Sequence, residues 1–286
     1  HYTRQCLEAK RRGLVKKVIS TVWETIPHNN EGIYGRKAFK ARALHELDHI
    51  IAVTSRAKQA LVSEGADPDK ISVIGAHVDT KLFRPATHIS KKVTPGGQKQ
   101  LTILYCGRLV PEKGVEEILT AMKALANNKT LADYQLQWHF VGNGNLRKDV
   151  EAAARLILKN WHSTIETAKY SDMPKIYQHA DIFVAPSKPS VYWEEQYGMA
   201  LLEAQASGLP IVTTNSGGIP ENVGEVAVIV PPGDAASLSH AIYSLVTNPA
   251  KRRRMGEASR ARAVRVHDIT LGAKKLSALY EQVISS

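Results

Sequence analysis

The sequence predicts an α/β protein built from two doubly wound parallel-sheet domains, of which the first is incomplete. Three observations support this prediction. The chain has 286 residues, which is long for a single core. From residue 101 onward, short β-rich apolar runs alternate with helical periods, a pattern typical of a parallel sheet with helices on both faces. Upstream, the sequence offers three further strand-like runs.

The first domain is predicted at residues 1–86. Its candidate strands lie within residues 15–23, 49–55 and 70–76. Residues 35–47, between the first two, have a helical pattern. Three strands do not complete a sheet of this kind, so we expect a partial domain. Residues 87–100 are polar and turn-rich, which predicts a linker.

The second domain is predicted at residues 101–268, followed by a helical pattern over residues 269–286. Its candidate strands are residues 101–106, 136–141, 181–187, 210–215 and 226–230. Amphipathic segments lie between them. In an open parallel sheet, ligands bind beyond the carboxyl ends of the strands, so the loops after these runs are the places to look for a site.

Composition and charge narrow the class of protein. With 43% hydrophobic and 23% charged residues, the chain has the composition of an ordinary globular protein. A net charge of +11 favours anionic partners such as nucleotides, nucleic acid or acidic lipid headgroups, although basic runs also suit solvated helix faces. Cys6 and Cys106 form neither a CxxC motif nor a metal-ligand cluster, so we expect a reducing, cytoplasmic setting.

Two further features concern targeting. No apolar run approaches the roughly 20 residues that would span a bilayer. The start of the sequence has no signal-peptide pattern and opens with His1 instead of Met, so we expect the chain to be a piece of a longer polypeptide.

The loop after residues 101–106 carries two cations, Arg108 and Lys113, just before a predicted helix. Arginine can bind phosphate oxygens in bidentate fashion, lysine can act as a point charge, and a helix start offers free amides. These residues therefore form a candidate diphosphate clamp. A surface turn with two solvated cations fits the spacing equally well.

The loop after residues 136–141 contains Gly142 and Asn143, followed by a second glycine. Glycines allow backbone to approach a ligand closely, so we assign Gly142 and Asn143 to a close-approach loop. An ordinary tight turn is the alternative.

The stretch EEQYGMALLEAQASGLP, residues 194–210, places Glu195 before a predicted helix start at Gly198 and Glu203 one turn inside that helix. Free amides near Gly198, Met199 and Ala200 would face a phosphate and stabilise its charge. Helical side chains lean toward the amino end, so Glu203 can reach the same ligand.

The two carboxylates would repel phosphate, so we expect their targets to be hydroxyl groups. Sugar rings supply hydroxyls in adjacent pairs. A ribose diol for Glu203 and a hexose hydroxyl for Glu195 would satisfy both charges. The alternative for Glu203 is a side chain that faces water.

Six motifs now follow one another along the chain: ISVIGAHVDTKLFRP (71–85), LYCGRLVPEKG (104–114), VGNGNLR (141–147), ADIFVAPS (180–187), EQYGMALLE (195–203) and EAQASGLPIVTTNSGGIPE (203–221). In this order they resemble family 4 glycosyltransferases of the GT-B superfamily, the retaining, nucleotide-sugar-dependent enzymes of glycosyl transferases group 1. The resemblance covers nearly the whole chain. It implies a GT-B fold of two Rossmann-like doubly wound domains, with the carboxy-terminal helix crossing back to the incomplete first one.

The resemblance also implies roles for individual residues. Arg108 and Lys113 would hold the donor diphosphate, and Glu195 would contact the transferred sugar, so these three are the implied catalytic residues. The amides of Gly198, Met199 and Ala200 would assist the clamp. Glu203 would bind the ribose, and Lys169 and Tyr170 would lie near the nucleobase.

The implied reaction is front-face sugar transfer from a UDP- or GDP-sugar to an acceptor hydroxyl, with retention and without an enzymic nucleophile. No cofactor and no divalent metal are expected, because two cations and a helix terminus can neutralise the leaving diphosphate. Asp67-Pro68-Asp69 is interpreted as a turn.

The sequence departs from the family pattern in three ways. The glycine-rich start of the first domain is not present before His1. Trp23 stands where many members have a histidine, and His28 is interpreted as a surface residue and not as its substitute. Gly75-Ala76-His77 replaces the common Pro-Asn-Gly.

Three hypotheses therefore remain. The first is a sugar transferase acting on a sugar, lipid or glycan acceptor. The second is a nucleotide-sugar-binding module that has lost catalysis. The third is a nucleic-acid-binding protein, ranked last because no aromatic and basic residues interleave in a stripe. The basic surface near residues 10–42 could dock on anionic lipid, as a peripheral protein on the inner face of the membrane.

Overall fold

The computed structural model of the protein describes residues 2–29, 31–87, 93–157 and 162–285. It contains two separate parallel sheets. The first sheet has the strand order β1-β2-β3, with β1 at Ile19–Val22, β2 at His49–Ala52 and β3 at Ile71–Val73. Helices α1 (Tyr2–Arg11), α2 (Arg36–Glu46) and α3 (Ser55–Ser63) pack on one face of it. β2 alternates in the expected way, since Ile50 and Ala52 point to this face and Ile51 points to the other.

The second sheet has six parallel strands in the order β6-β5-β4-β7-β8-β9. The strands are β4 (Lys99–Cys106), β5 (Tyr134–Val141), β6 (His162–Glu166), β7 (Ile182–Ala185), β8 (Ile211–Thr214) and β9 (Ala227–Val230). Counted from β4, this is the Rossmann order 3-2-1-4-5-6. The order reverses between β4 and β7, so the crevice lies beyond the carboxyl ends of these two strands.

Helices cover both faces of the second sheet. They are α4 (Val115–Ala126), α5 (Arg147–Ile157), α6 (Met173–His179), α7 (Met199–Ala206), α8 (Ile219–Val223), α9 (Ala235–Thr247) and α10 (Pro249–Arg262). Ile103 and Tyr105 of β4 pack into one core with α4 and α9, whereas Leu104 and Cys106 pack into the other with α6 and α7. The predicted doubly wound architecture is confirmed.

Two details of the predicted second domain need correction. β6 was missed, because its residues HSTIE are polar and none of them is buried at this sheet edge. β4 begins at Lys99, inside the predicted linker, because Lys99 pairs with Tyr134 of β5. Residues 88–92 of that linker lie outside the described residues.

The last helix, α11 (Ile269–Ser285), follows a π-helical turn at Ala263–His267. Its Leu279 and Val283 pack against Ile51 and Ile74 on the second face of the first sheet. Of the described helices, none is both long enough and apolar enough to cross a membrane.

His267 joins the two parts of the chain. Its backbone carbonyl accepts a hydrogen bond of 2.8 Å from the amide of Val78. Its side chain is 2% exposed, and Nε2 lies 3.0 Å from the carbonyl oxygen of Asn222, a contact that requires the proton on Nε2. Burial, with a contribution from Arg262, lowers the pKa of His267 to about 4.

We expect the free energy of unfolding to fall as the pH drops from about 6.5 toward 4. In this window His267 takes up a proton in the unfolded state but not in the folded state, so protons favour unfolding. The difference between the two pKa values corresponds to roughly 3 kcal/mol of folding free energy, which is present above pH 6.5 and is lost as the pH falls toward 4. Urea unfolding of the wild type and of His267→Gln at several pH values measures this. Parallel pH profiles for the two proteins would contradict it.

Candidate functional site

The crevice between β4 and β7 contains a lysine and a glutamate from the two loops that flank it. Lys113 ends the loop after β4, and Glu195 lies in the loop after β7. Lys113 Nζ is 2.5 Å from Glu195 Oε2, and the two side chains are 19% and 14% exposed. The Ser187 hydroxyl donates to the same carboxylate oxygen at 3.0 Å. The structure therefore brings together two of the predicted site residues.

An aromatic ring holds the lysine from a second side. Lys113 Nζ lies 5.0 Å from the centroid of the Trp193 ring, within the range of a cation–π interaction. The ammonium group is therefore held by Glu195 and Trp193, and it is ready for an anion that enters the crevice.

The amino end of α7 opens beside this pair. Gly198 has φ +84°, in the left-handed region that glycine adopts easily, and the predicted helix start there is confirmed. The first hydrogen bond of the turn runs from the Leu201 amide to the Gly198 carbonyl at 3.0 Å. The amides of Met199 and Ala200 precede this bond, and Met199 is 43% exposed. This end of the helix can accept negative charge.

The segment after β8 supports the backbone of Glu195. The Glu195 amide donates to the Ser216 hydroxyl at 3.2 Å, and the Gly218 amide donates to the Glu195 carbonyl at 2.8 Å. A Cβ atom on Gly217 would lie 2.1 Å from the same carbonyl oxygen. The loop that carries Glu195 is thus closely fitted against residues 216–218.

Glu203 is enclosed by tyrosines and does not simply face water. The buried Tyr177 hydroxyl donates to Glu203 Oε2 at 2.8 Å, and Tyr170 also hydrogen-bonds to this carboxylate. Burial raises the pKa of Glu203, and the tyrosine hydrogen bonds oppose that rise. Such a carboxylate is a strong acceptor for further hydroxyl groups.

Replacing Glu203 with glutamine is expected to raise the free energy of unfolding at neutral pH. The pKa of Glu203 is higher in the folded state than its ordinary 4.5, so its ionisation destabilises the fold progressively as the pH rises above that value. Glutamine does not ionise and removes this loss. Thermal unfolding of both proteins between about pH 4 and pH 8 measures the difference, with Glu257→Gln as control because Glu257 is 73% exposed. A Glu203→Gln variant that is less stable at every pH would contradict the expectation.

Tyr170 and Lys169 are both exposed. Tyr170 is 62% exposed, and its ring lies 5.8 Å from the Phe83 ring. Because its hydroxyl reaches Glu203, the structure places the residue predicted for the nucleobase beside the residue predicted for the ribose.

The Arg108 side chain contacts Glu112 and not the Lys113–Glu195 pair. Its side chain is 59% exposed, with Nη2 3.4 Å from Glu112 in the same turn. Its carbonyl accepts a hydrogen bond of 2.6 Å from the Tyr105 hydroxyl, which fixes the backbone. The guanidinium group is therefore accessible to a ligand but not positioned by the protein.

Gly142 lies where the loops after β4 and β5 meet, and its predicted approach to a ligand stays a prediction. A Cβ atom on Gly142 would lie 1.8 Å from the Gly107 carbonyl oxygen. The neighbouring Asn143 carbonyl accepts a hydrogen bond of 2.8 Å from the Leu109 amide. The close approach that the structure shows is between these two loops.

His28, Glu31 and Glu64 are the group with ligand atoms at metal-binding spacing among the described residues. Lys40 lies among them, hydrogen-bonded to Glu64 and 3.5 Å from Glu31. The Lys40 ammonium contacts both carboxylates, so the arrangement is that of an ion-pair cluster. The Asp67 side chain accepts from the Asp69 amide at 3.0 Å, which confirms the predicted turn.

Several site residues were missed by the sequence analysis: Tyr177, Ser187, Trp193 and Ser216. Ser187 lies within the motif ADIFVAPS but carried no assignment. The others act through residues distant in sequence, and the local pattern gives no sign of that contact.

Residues 87–262 match the family model described as glycosyl transferases group 1. An MMP alpha-(1->4)-mannosyltransferase of Mycolicibacterium hassiacum is 28% identical over 256 residues, covering 88% of this chain and 58% of that protein. A GDP-mannose-dependent monoacylated alpha-(1-6)-phosphatidylinositol monomannoside mannosyltransferase of Corynebacterium glutamicum is 29% identical, covering 88% and 66%. The chain spans about half the length of the curated relatives it matches.

Solved structures share the fold. Anabaena HepE in complex with UDP and glucose superposes with a TM-score of 0.75 at 17% identity, over 98% of this chain and 75% of that one. Sucrose-phosphate synthase from Thermosynechococcus elongatus gives a TM-score of 0.70 at 23% identity, over 93% and 68%.

Proposed function

This chain belongs to the glycosyl transferases group 1 family, and from that premise we propose that it is the donor-binding part of a retaining glycosyltransferase. The enzyme would move a hexose from a nucleotide-diphosphate sugar to an acceptor hydroxyl on a sugar, lipid or glycan. The observation that supports this best is the Lys113–Glu195 pair beside the open amino end of α7, at the switch point of a Rossmann-ordered sheet.

The geometry suits each part of such a donor. Lys113 and the amides of Met199 and Ala200 would hold the diphosphate, with Arg108 closing over it from the exposed turn. Once an anion engages Lys113, the Glu195 carboxylate is released to accept from a hexose hydroxyl. Glu203 would accept from the ribose diol.

The proposed reaction is a front-face transfer. The bond between the anomeric carbon and the leaving phosphate oxygen breaks, and a bond from the acceptor oxygen forms on the same face. The acceptor proton passes to the departing phosphate oxygen, so no protein nucleophile is needed. Fixed positive charge in a partly buried site would stabilise the leaving group, and we propose that this makes a divalent metal unnecessary.

We propose a UDP- or GDP-sugar as donor. One relative is named as GDP-mannose-dependent and one structural neighbour holds UDP and glucose, so both bases are candidates. Titration calorimetry with a panel of UDP-, GDP- and ADP-sugars tests this. Binding of one sugar nucleotide that is competed by the matching diphosphate is the expected result, and no binding of any member would remove the proposal.

A binding module without catalysis is the second candidate, because the proposed donor contacts all lie in the second domain and the first sheet has three strands among the described residues. A turnover assay on the complete gene product separates the two. Donor binding without sugar transfer to any acceptor would favour the module. Binding to any duplex with a steep salt dependence, and without preference for a sugar nucleotide, would instead favour nucleic acid, which we do not expect.

We also propose that the protein acts in the cytoplasm, peripherally on an anionic membrane. Arg4, Arg11, Arg12 and Arg42 surround an open cavity of about 640 Å³ next to Leu14, which is 74% exposed. Basic residues around an exposed apolar side chain suit an acidic lipid surface. Co-sedimentation with vesicles of phosphatidylserine and phosphatidylcholine should exceed that with phosphatidylcholine alone, and equal values would refute it.

A further inference from the structure

An ion pair from the first sheet's α3 reaches the loop that carries Glu195. Arg56 Nε and Nη2 donate to the two carboxylate oxygens of Glu194 at 2.6 and 2.9 Å, the planar bidentate arrangement that arginine forms with carboxylates. The Glu194 side chain is 7% exposed, whereas that of Arg56 is 54% exposed. The carboxylate is therefore withdrawn from water, and its charge is met by a residue 138 positions earlier in the chain.

A second contact joins the same helix to the segment that supports Glu195. The Glu221 carboxylate accepts from the Ser55 amide at 2.8 and 3.0 Å, at the amino end of α3. A Cβ atom on Gly218 would lie 2.9 Å from Cγ2 of Thr54. The start of α3 thus touches both the Glu194 loop and the residues that hold that loop from behind.

These contacts bear on Glu195 because it follows Glu194 directly. Glu195 is held at its amide by Ser216 and at its carbonyl by Gly218. Gly217 packs against the Glu194 side chain, since a Cβ atom on Gly217 would be 3.1 Å from Glu194 Cγ. Fixing the Glu194 side chain to Arg56 limits the backbone freedom that would otherwise let the Glu195 carboxylate swing away from the crevice.

Stability alone is a poor reason for this pair. Burying the Glu194 carboxylate costs free energy that its pairing with the exposed Arg56 roughly offsets, so net stability is a weak reason for the pair. The pair also spans the two sheets, so its formation depends on their closed arrangement.

We propose that Arg56 is a positioning residue that sets the Glu195 carboxylate from the opposite domain. This inference rests on the proposed function, in which Glu195 contacts the transferred sugar. Arg56 itself touches neither diphosphate nor sugar. Its removal should loosen the Glu195 loop and abolish the contribution of the sugar to donor affinity, while the diphosphate clamp in the second domain stays intact.

The first test needs no ligand. Hydrogen exchange of the Glu195 and Gly218 amides is compared in the wild type, Arg56→Gln, Arg56→Lys and Arg253→Gln. Arg253 is a matched control, because it pairs with Glu257 on an exposed face of α10 and is 80% exposed. Exchange at both amides should rise roughly tenfold in Arg56→Gln, rise less in Arg56→Lys, and stay at the wild-type rate in Arg253→Gln. Unchanged exchange in Arg56→Gln would overturn the proposal.

The second test measures what the sugar adds to binding. Affinities for the bare nucleoside diphosphate and for the same diphosphate sugar are titrated on each variant. Arg56→Gln should keep the diphosphate affinity within about twofold and lose the extra affinity due to the sugar, by roughly tenfold, and Glu195→Gln should do the same. An equal loss for both ligands, or no loss for either, would overturn the positioning role. If the wild type binds neither ligand, the proposed function fails, and the exchange experiment still decides whether Arg56 holds the loop.

Discussion

Replacing Lys113 with glutamine is expected to lower the rate of sugar transfer at least about 100-fold, because one fixed charge at a departing diphosphate typically contributes that much. Lys113 lies 2.5 Å from Glu195 and is 19% exposed, so no mobile surface lysine can take its place at the same point. Affinity for the bare diphosphate should also fall, roughly tenfold. Calorimetry and initial-rate kinetics on the complete protein measure both effects.

The same substitution leaves Glu195 partly buried and without its cation, so the protein should also lose stability. Glu195→Gln in the same chain removes the unpaired charge and should restore thermal stability without restoring transfer. Lys251→Gln is a suitable control, because Lys251 of α10 donates to the Ser244 hydroxyl of α9 and its variant should behave as wild type. Full activity in Lys113→Gln would disprove the clamp, whatever happens to stability.

Replacing Gly217 with alanine is expected to abolish donor binding and to cost several kcal/mol of stability. The new Cβ atom would lie 2.1 Å from the Glu195 carbonyl oxygen, which is backbone and cannot rotate away. The loop bearing Glu195 must therefore shift as a whole. Gly217 also has φ +53°, which alone costs about 1 kcal/mol for a residue with a side chain.

Gly233→Ala separates these two causes. Gly233 has φ +78° in the same domain, and nothing lies within 4 Å of the point that its new Cβ atom would occupy. The Gly233→Ala variant should lose only the stability that the positive φ costs a residue with a side chain, and it should bind the donor like the wild type. Chemical unfolding and calorimetry on both variants give the comparison. If Gly217→Ala loses no more stability than Gly233→Ala, the close fit of Gly217 against the Glu195 carbonyl does not contribute to stability, and the prediction is wrong.

The sequence predicts the second sheet well because its central strands are buried on both faces. Ile103, Leu104 and Phe183 are completely buried, and such strands are apolar throughout. β6 lies at the sheet edge, where its first residue is exposed and the other four are half-buried, so HSTIE has no apolar run to detect. An edge strand of this kind is identified only by its backbone pairing with a neighbouring strand, which for β6 is β5.

The candidate site could be predicted where its chemistry is local. Lys113 and Glu195 both follow strand ends, and the structure brings them together as the sheet pattern predicted, with α7 starting after Gly198. The roles assigned to Arg108, Lys113, Glu195 and Glu203 stay predictions. Tyr177 was not predictable, because its hydroxyl meets Glu203 from another helix, 26 residues earlier. The contact of Gly142 with Gly107 was not predictable for a related reason: a glycine signals close approach but not the identity of the atom approached.

The position of α11 makes the first domain discontinuous along the chain. Its strands occupy the amino-terminal quarter, yet Leu279 and Val283 complete its core. During synthesis, residues 99–230 can assemble their sheet as they emerge, whereas the second face of the first sheet stays uncovered until α11 leaves the ribosome. Deletion of α11 should therefore damage the first sheet, although it lies earlier in the chain, and spare the second.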